Sequence, residues 1–265
     1  MTFSDVTLAR RLERAEATAA AKFIEARART APQSGAAWIE VAGAYAMFDG
    51  AGSPLTQTFG LGLFAVPSAQ DLDRLEAFFF QRGAQVCHEV SPLAGVELAA
   101  ALVARGYRPI EFTSVMHRSV AAAPADATAR VTTRIVKSGE ESLWSRISAD
   151  GWCHSQELHQ MALDLGIVAV TAEGSIAFFA EYDGAPIATG TLCRHGGVAL
   201  FAGASTIPEA RNQGAQRALL DARMCHAAQT GCDLAMMCAA PGSPSQRNAE
   251  RQGFRIAYTR TKWCK

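Results

Sequence analysis

Nowhere does the chain run far enough through purely apolar residues to cross a bilayer. Its longest uncharged apolar stretches, such as Gly60 to Pro67, fall well short of the roughly 18 residues a spanning helix needs. The first residues meet charge at once (Asp5, Arg10, Arg11) and build no apolar core of a secretion signal, so a cytoplasmic location is expected. An excess of charge is missing too. Twenty-five Lys and Arg balance twenty-five Asp and Glu, without the basic surplus by which proteins track nucleic-acid phosphates. Neither nucleic acid nor membrane is expected as a partner. Cysteine is sparse and unpatterned: Cys87, Cys153, Cys193, Cys225, Cys232, Cys238 and Cys264 make an odd number without a close pair. Most sit among apolar neighbours, which reads as small core residues of a reduced compartment and makes a disulfide framework unexpected.

What is present is a core. Apolar residues make up 49% of the 265 positions and charged residues 19%, enough to offset chain entropy in a globular protein with room for two packed units. Leu8, Leu12, Ala15, Ala19, Phe23 and Ala26 recur at steps of three and four, one face of a helix over 5–30. Residues 35–48 and 55–64 read as a hairpin about the turn Asp49-Gly50-Ala51-Gly52-Ser53. Ser68, with Asp71 three residues on, caps a helix over 69–82 that Gly83 ends. A strand over 85–90, a helix over 93–105 and a strand over 107–120 complete this half. The stretch 121–129 has no bulky apolar residue and contains Pro124, which marks a boundary. Domains are expected at 1–120 and 130–265. In the second, a strand near 130–137 and helices over 140–149 and 155–165 precede a three-stranded antiparallel meander (175–182, 186–194, 198–206) turned at Asp183-Gly184 and His195-Gly196-Gly197. A helix over 210–230, a strand over 233–238, a helix over 243–252 and a strand over 254–263 follow. The fold class is α/β with a mixed sheet.

The halves repeat one another: hairpin or meander, proline, helix, glycine, strand, helix, glycine-aromatic, strand. From Gly83 to Gly106 is 23 positions and from Gly231 to Gly253 is 22, whereas Pro67 to Gly83 is 16 and Pro208 to Gly231 is 23. The second half has an insertion, Glu209 to Ala215, at the start of its long helix. First-turn N–H groups of a helix lack backbone acceptors and point at any anion placed there. Gly214 lets a pyrophosphate approach the main chain, and Arg211 adds a fixed charge.

The segments Thr206-Ile-Pro-Glu-Ala-Arg211-Asn-Gln-Gly214-Ala-Gln216-Arg-Ala-Leu-Leu220 and Ala239 to Phe254 resemble the acyl-CoA-binding core of the GNAT superfamily of N-acetyltransferases, over about 130–265. The resemblance implies a tandem GNAT-like fold, with a degenerate N-terminal copy and an acyl-CoA-binding C-terminal copy. It also implies acetyl-CoA as co-substrate. The strand at Ala204, Ser205 and Thr206 would pair with the pantetheine arm, and the loop Arg211, Asn212, Gln213, Gly214, Ala215 and Gln216 would hold the pyrophosphate. Ser245 and Asn248 would lie near the sulfur. An amine of a small molecule or protein would attack the acetyl carbonyl directly, with an N–H of Ala204 or Ser205 stabilising the oxyanion. Gln216 stands where the family has Gly or Ala, and Ala249 where many members have a tyrosine that protonates the leaving thiolate.

The amine needs a base. His154, Glu157, His159, Glu173 and Glu181 are all candidates, with Glu157 or His154 preferred; Ser245, Tyr258 or water could protonate the thiolate. Other signals are incomplete. Gly60-Leu-Gly62-Leu-Phe-Ala65 precedes Pro67 and does not open a helix, so it is not a dinucleotide fingerprint. Gly203-Ala-Ser205 lacks the second glycine of a nucleophile elbow, and no four-ligand metal set can be assembled around Cys153, His154, His159, Cys193 and His195. Two functions remain: an N-acetyltransferase, or a non-catalytic acyl-CoA-binding sensor. A homodimer is left open.

Overall fold

The computed structural model describes residues 4–120, 130–152 and 156–265. The expected linker at 121–129 lies outside these. The chain forms two compact units, Met1–His117 with Cys238–Lys265, and Arg118–Met237. By contacts, then, the carboxyl-terminal segment groups with the N-terminal half.

The first unit opens with α1 (Val6–Thr30), started by the Asp5 side chain accepting from the Leu8 N–H. The chain then reverses earlier than its glycine-rich stretch suggests. Ala42 and Gly43 take φ of 49° and 78°, the left-handed pair a two-residue hairpin turn requires. They join β1 (Ala37–Val41) to β2 (Ala44–Phe48), and the Asp49 loop leads instead to the short β3 (Thr58–Phe59), which pairs β2 antiparallel. Next come α2 (Ala69–Phe80), β4 (Cys87–Val90), α3 (Val96–Ala104) and β5 (Arg108–Ser119). Leu61, Leu72, Leu75, Phe79, Val86 and Leu102 pack between helices and sheet, each burial contributing roughly 1.5–3 kcal/mol.

The second unit holds β6 (Val131–Ile135), α4 (Glu141–Trp152), α5 (Gln156–Thr171), the meander β7 (Ser175–Tyr182), β8 (Ala185–His195) and β9 (Val198–Thr206), α6 (Ala215–Gln229) and most of β10 (Leu234–Ala239). Its strand order is β10-β9-β8-β7-β6. Trp144 is buried on α4 against Ala177 and Phe179, its indole N–H donating to the Phe178 carbonyl at 3.1 Å. Gly151 near the end of α4 lies so close to β9 that a Cβ there would stand 2.8 Å from the Ser205 side chain and the Thr206 nitrogen.

The chain ends in α7 (Pro244–Arg251) and β11 (Arg255–Cys264), and β11 is inserted between β4 and β5 of the first unit, antiparallel to both. Two consequences were not legible in the sequence. Cys264 falls opposite Cys87 on β4 and the two sulfurs are bonded, contrary to the expectation of unpaired cysteines. Strand pairing brings together residues 177 positions apart, so no spacing could announce them. Cys193, Cys225, Cys232 and Cys238 are free thiols; Cys153 lies outside the described residues.

The second consequence is a buried charge cluster. Arg260 on β11, with 3% of its side chain exposed, contacts Glu16 at 2.5 and 2.9 Å and Glu89 at 2.9 Å. Glu13 accepts from the Tyr258 hydroxyl at 2.8 Å. Three carboxylates thus gather round one guanidinium, with Lys262 3.9 Å from Glu89. Burial above all, with Glu16 and Glu89 adding to it against the pull of Arg260, pushes Glu13 up to about 7.

An acid whose pKa is higher folded than unfolded destabilises the native state progressively as pH climbs from its unfolded value to its folded one. Glu13→Gln keeps an acceptor for Tyr258 but removes that ionisation. The variant is predicted to gain in urea midpoint relative to the parent as pH goes from about 5 to about 8; an unchanged difference between the two contradicts this. Gly151→Ala is predicted to destabilise by about 1–3 kcal/mol through overpacking of α4 on β9, measured by urea unfolding.

Candidate active site

The site is built on β9 and the turn that follows it. β8 pairs β9 along its length, from His195–Val198 to Ala188–Thr206. The parallel ladder between β9 and β10 covers only Val198, Ala199 and Leu200, opposite Leu234, Ala235 and Met236. Among the described residues, no ladder to β10 continues over Phe201 to Thr206. A free strand edge is a row of backbone donors and acceptors ready to pair an extended ligand.

Within that edge β9 carries a bulge. Thr191 is matched to Ala202 and Thr189 to Ser205, so Gly203 and Ala204 together oppose Gly190. Gly203 sits at φ +59°, the left-handed residue of a glycine bulge, and such bulges re-aim the backbone groups that follow. The bulge is packed from the α4 side. A Cβ on Gly203 would lie 3.4 Å from the Trp144 ring and from the Thr191 hydroxyl. The Thr189 and Ser205 hydroxyls are 3.0 Å apart.

Beyond Thr206 the chain makes a single 3-10 turn at Pro208–Ala210 and then the loop Arg211 to Gly214. Asn212 and Gly214 take φ of 64° and 86°. Such left-handed residues turn the main chain sharply, so that neighbouring N–H groups can converge on an anion as in a nest. Gly214 is the N-cap of α6 and supplies no side-chain cap, so the helix's first-turn donors stay open to a ligand. A Cβ at Gly214 would meet nothing within 4 Å, which leaves the cradle clear. Arg211 folds over the loop, donating to the Gly151 carbonyl at 3.2 Å and the Thr206 carbonyl at 3.5 Å. Gln213 reaches the Glu209 carbonyl at 3.5 Å, and Ala215 is buried. Gln216 has a use that its departure from the family pattern did not suggest. Its amide donates to the Ser205 carbonyl and the Thr206 hydroxyl, each at 2.9 Å, and so ties the first turn of α6 to the end of β9. A groove of about 750 Å³ runs on from Gln213 and Gly214 between α6 and β6.

Ala204, Ser205, Thr206 and the loop from Arg211 to Gln216 are therefore neighbours in one unit. Ser245 and Asn248 lie on α7, in the other compact unit, both exposed. Ala249 is fully buried, and the Tyr258 hydroxyl is committed to Glu13, burial raising its pKa well above the usual range. His154 lies outside the described residues. Glu157 is in α5, and its side chain also lies outside them. Of the other base candidates, His159 pairs with Asp150 at 2.8 Å, next to Gly151, while Glu181 is bonded to Arg134 at 2.7 Å. Among the described residues no group of three metal-binding side chains occurs, and no helix is long and apolar enough to cross a membrane.

One further residue had escaped notice in the sequence. Arg223, 1% exposed on α6, donates to the Leu219, Thr191 and Ala202 carbonyls at 3.1, 3.2 and 3.4 Å. Burial lowers its pKa to about 9, which leaves it charged at neutral pH. The signal that could have found it is the pair of isolated strand glycines, Gly190 and Gly203, which mark a bulge and a close approach.

Solved structures share this architecture over most of the chain. A GCN5-related N-acetyltransferase from Kribbella flavida is 18% identical with a TM-score of 0.64, over 92% of this chain and 95% of that one. Another GCN5-related N-acetyltransferase, from Sphaerobacter thermophilus, is 14% identical with a TM-score of 0.56, over 79% and 71%. A tandem GNAT protein from the clavulanic acid biosynthesis pathway is 12% identical with a TM-score of 0.57, over 84% and 78%. At such identities the likeness is one of fold. No protein of curated function matches the sequence. The model of the acetyltransferase (GNAT) family matches residues 141–254, a span that holds the open β9 edge, its bulge and the uncapped start of α6. In sequence, residues 141–254 are thus similar to the acetyltransferase (GNAT) family, and in fold the chain is similar to solved N-acetyltransferases.

Proposed function

We propose that the chain is an acetyl-CoA-dependent N-acetyltransferase, moving an acetyl group to an amine of a small molecule or protein by direct attack in a ternary complex. The observation that carries this reading is the β9 edge left without a β10 ladder beyond Leu200, followed in the same unit by the uncapped N-terminus of α6. When bound, acetyl-CoA supplies an acyl carbon whose C–S bond breaks as the C–N bond forms. The edge of β9 at Ala204 to Thr206 would take the pantetheine amides as an added strand. The nest from Arg211 to Gln216 would hold the pyrophosphate, with Arg211 as fixed charge. An N–H of Ala204 or Ser205 would donate to the carbonyl oxygen as negative charge gathers there. His154 or Glu157 is assigned the amine proton, and the departing sulfur is a weak base that leaves with little help, from Ser245 or water and not from Tyr258, whose hydroxyl is committed to Glu13.

Only one coenzyme per chain is expected. At the corresponding helix of the first half, Ser68 and Asp71 form a reciprocal capping box: the Ser68 hydroxyl accepts from the Asp71 N–H, and the Asp71 carboxylate accepts from the Ser68 N–H at 3.0 Å. The bond from Ser68 holds Asp71 below the usual carboxylate range. That helix start is already occupied by an anion of its own, where α6 offers a bare glycine.

Release of free CoA from acetyl-CoA is predicted to rise on adding at least one member of a panel of small amines and basic peptides. Binding of acetyl-CoA with no amine-dependent release would instead mark a non-catalytic acyl-CoA-binding protein. Gly214→Val forces a branched residue into the left-handed region at a cost of about 1–2 kcal/mol or more and places methyls in the nest. Its acetyl-CoA affinity is predicted to fall at least about tenfold by calorimetry. The parent should titrate at one coenzyme per chain, and a stoichiometry of two contradicts the reading of the first half.

A further inference from the structure

On the transferase reading of this site, we propose that Arg223 is a positioning residue, whose buried guanidinium holds the β9 bulge so that the amides following Gly203 face the thioester carbonyl.

A guanidinium in a core needs a reason. Taking a charge out of water costs several kcal/mol unless hydrogen bonds or a counter-ion compensate, and among the described residues no carboxylate pairs with Arg223. An aliphatic side chain would fill the same space without that cost. What Arg223 does instead is local. Thr191 and Ala202 are the last register partners before the bulge, and the same guanidinium nitrogen donates to both of their carbonyls, at 3.2 and 3.4 Å. Its other bond, to Leu219 one turn earlier on α6 at 3.1 Å, fixes the side chain against its own helix, and the Phe201 ring lies 4.9 Å from its carbon.

The strands are cut to fit it. A Cβ on Gly190, the residue facing the bulge, would stand 3.1 Å from the guanidinium carbon. Gly203, on the bulge itself, takes the φ of +59° that glycine reaches at little cost. With Arg223 in place, the two carbonyls at the base of the bulge have a donor. Without it both carbonyls would lose that donor, and β9 would be free to slide back into regular register with β8. That slide would turn the amides of Ala204 and Ser205 away from the β10 side. Trp144 and Gly151 hold the other face of β9, so Arg223 is the support on the α6 side.

The test uses the full chain with acetyl-CoA labelled with carbon-13 at the thioester carbonyl. In the parent, isotope-edited infrared spectra should show the bound carbonyl stretch below that of free acetyl-CoA, because an amide donates to it. Arg223→Met should lose at least about half of that shift and lower kcat about 10–100-fold, while acetyl-CoA affinity changes less than about threefold. Arg223→Lys, which keeps the charge but spans a single carbonyl, should fall between. A parent carbonyl frequency and kcat in Arg223→Met overturn the proposal, as does a loss of kcat matched by an equal loss of affinity. Should Arg223→Met not fold, Arg223→Lys decides: an intermediate shift supports the proposal, and a parent-like frequency and kcat overturn it. If the parent itself binds acetyl-CoA with no carbonyl shift, the transferase reading fails, whatever Arg223 does.

Discussion

A β-strand inside a sheet that loses its partner on one side must find another use for the donors and acceptors it exposes. β9 meets this constraint halfway along. It is bound to β8 throughout, but its ladder with β10 stops after Leu200 and Met236. Part of the debt is settled within the unit: the Gln216 side chain takes the Ser205 carbonyl, and Arg223 takes the Ala202 carbonyl. The first-turn amides of α6 add to what stays open, because Gly214 has no side chain with which to cap them. The result is a strip of directed backbone donors with a helix N-terminus at its end, suited to a ligand that is an extended diamide at one end and a diphosphate at the other.

The two halves show how small a change separates a site from a scaffold. Both have a helix following a strand and a proline. In the first, Ser68 and Asp71 close the helix start on itself. In the second, a seven-residue insertion replaces that box with left-handed turns at Asn212 and Gly214. A capping box stabilises a helix by satisfying its donors, and the same satisfaction removes them from use. The first unit spends polar groups elsewhere, in the cluster of Glu13, Glu16, Glu89, Tyr258 and Arg260 that joins α1 to β4 and β11.

Much of this was legible in the sequence because it depends on local chemistry. The Ser68 cap, the 3.6-residue stripe of α1, the turns at Asp183-Gly184 and Gly196-Gly197 and the Gly214 loop are each set by a few adjacent residues. What was not legible depends on partners far apart in the chain. The early reversal at Ala42-Gly43 was overshadowed by the richer glycine turn that follows it. The Cys87–Cys264 bond arises only because β11 is inserted beside β4. Arg223 gains its role only when α6 is laid against the bulge, and Asp150 becomes a partner of His159 only when α4 and α5 are packed together.

Amide hydrogen exchange with and without acetyl-CoA tests the central claim most directly, because that claim concerns identified backbone N–H groups. Slowed exchange is predicted in two stretches, 202–206 on β9 and 212–217 at the start of α6, with the amides at 68–72 unchanged. Protection at the start of α2, or none in either predicted stretch under saturating acetyl-CoA, would contradict the account.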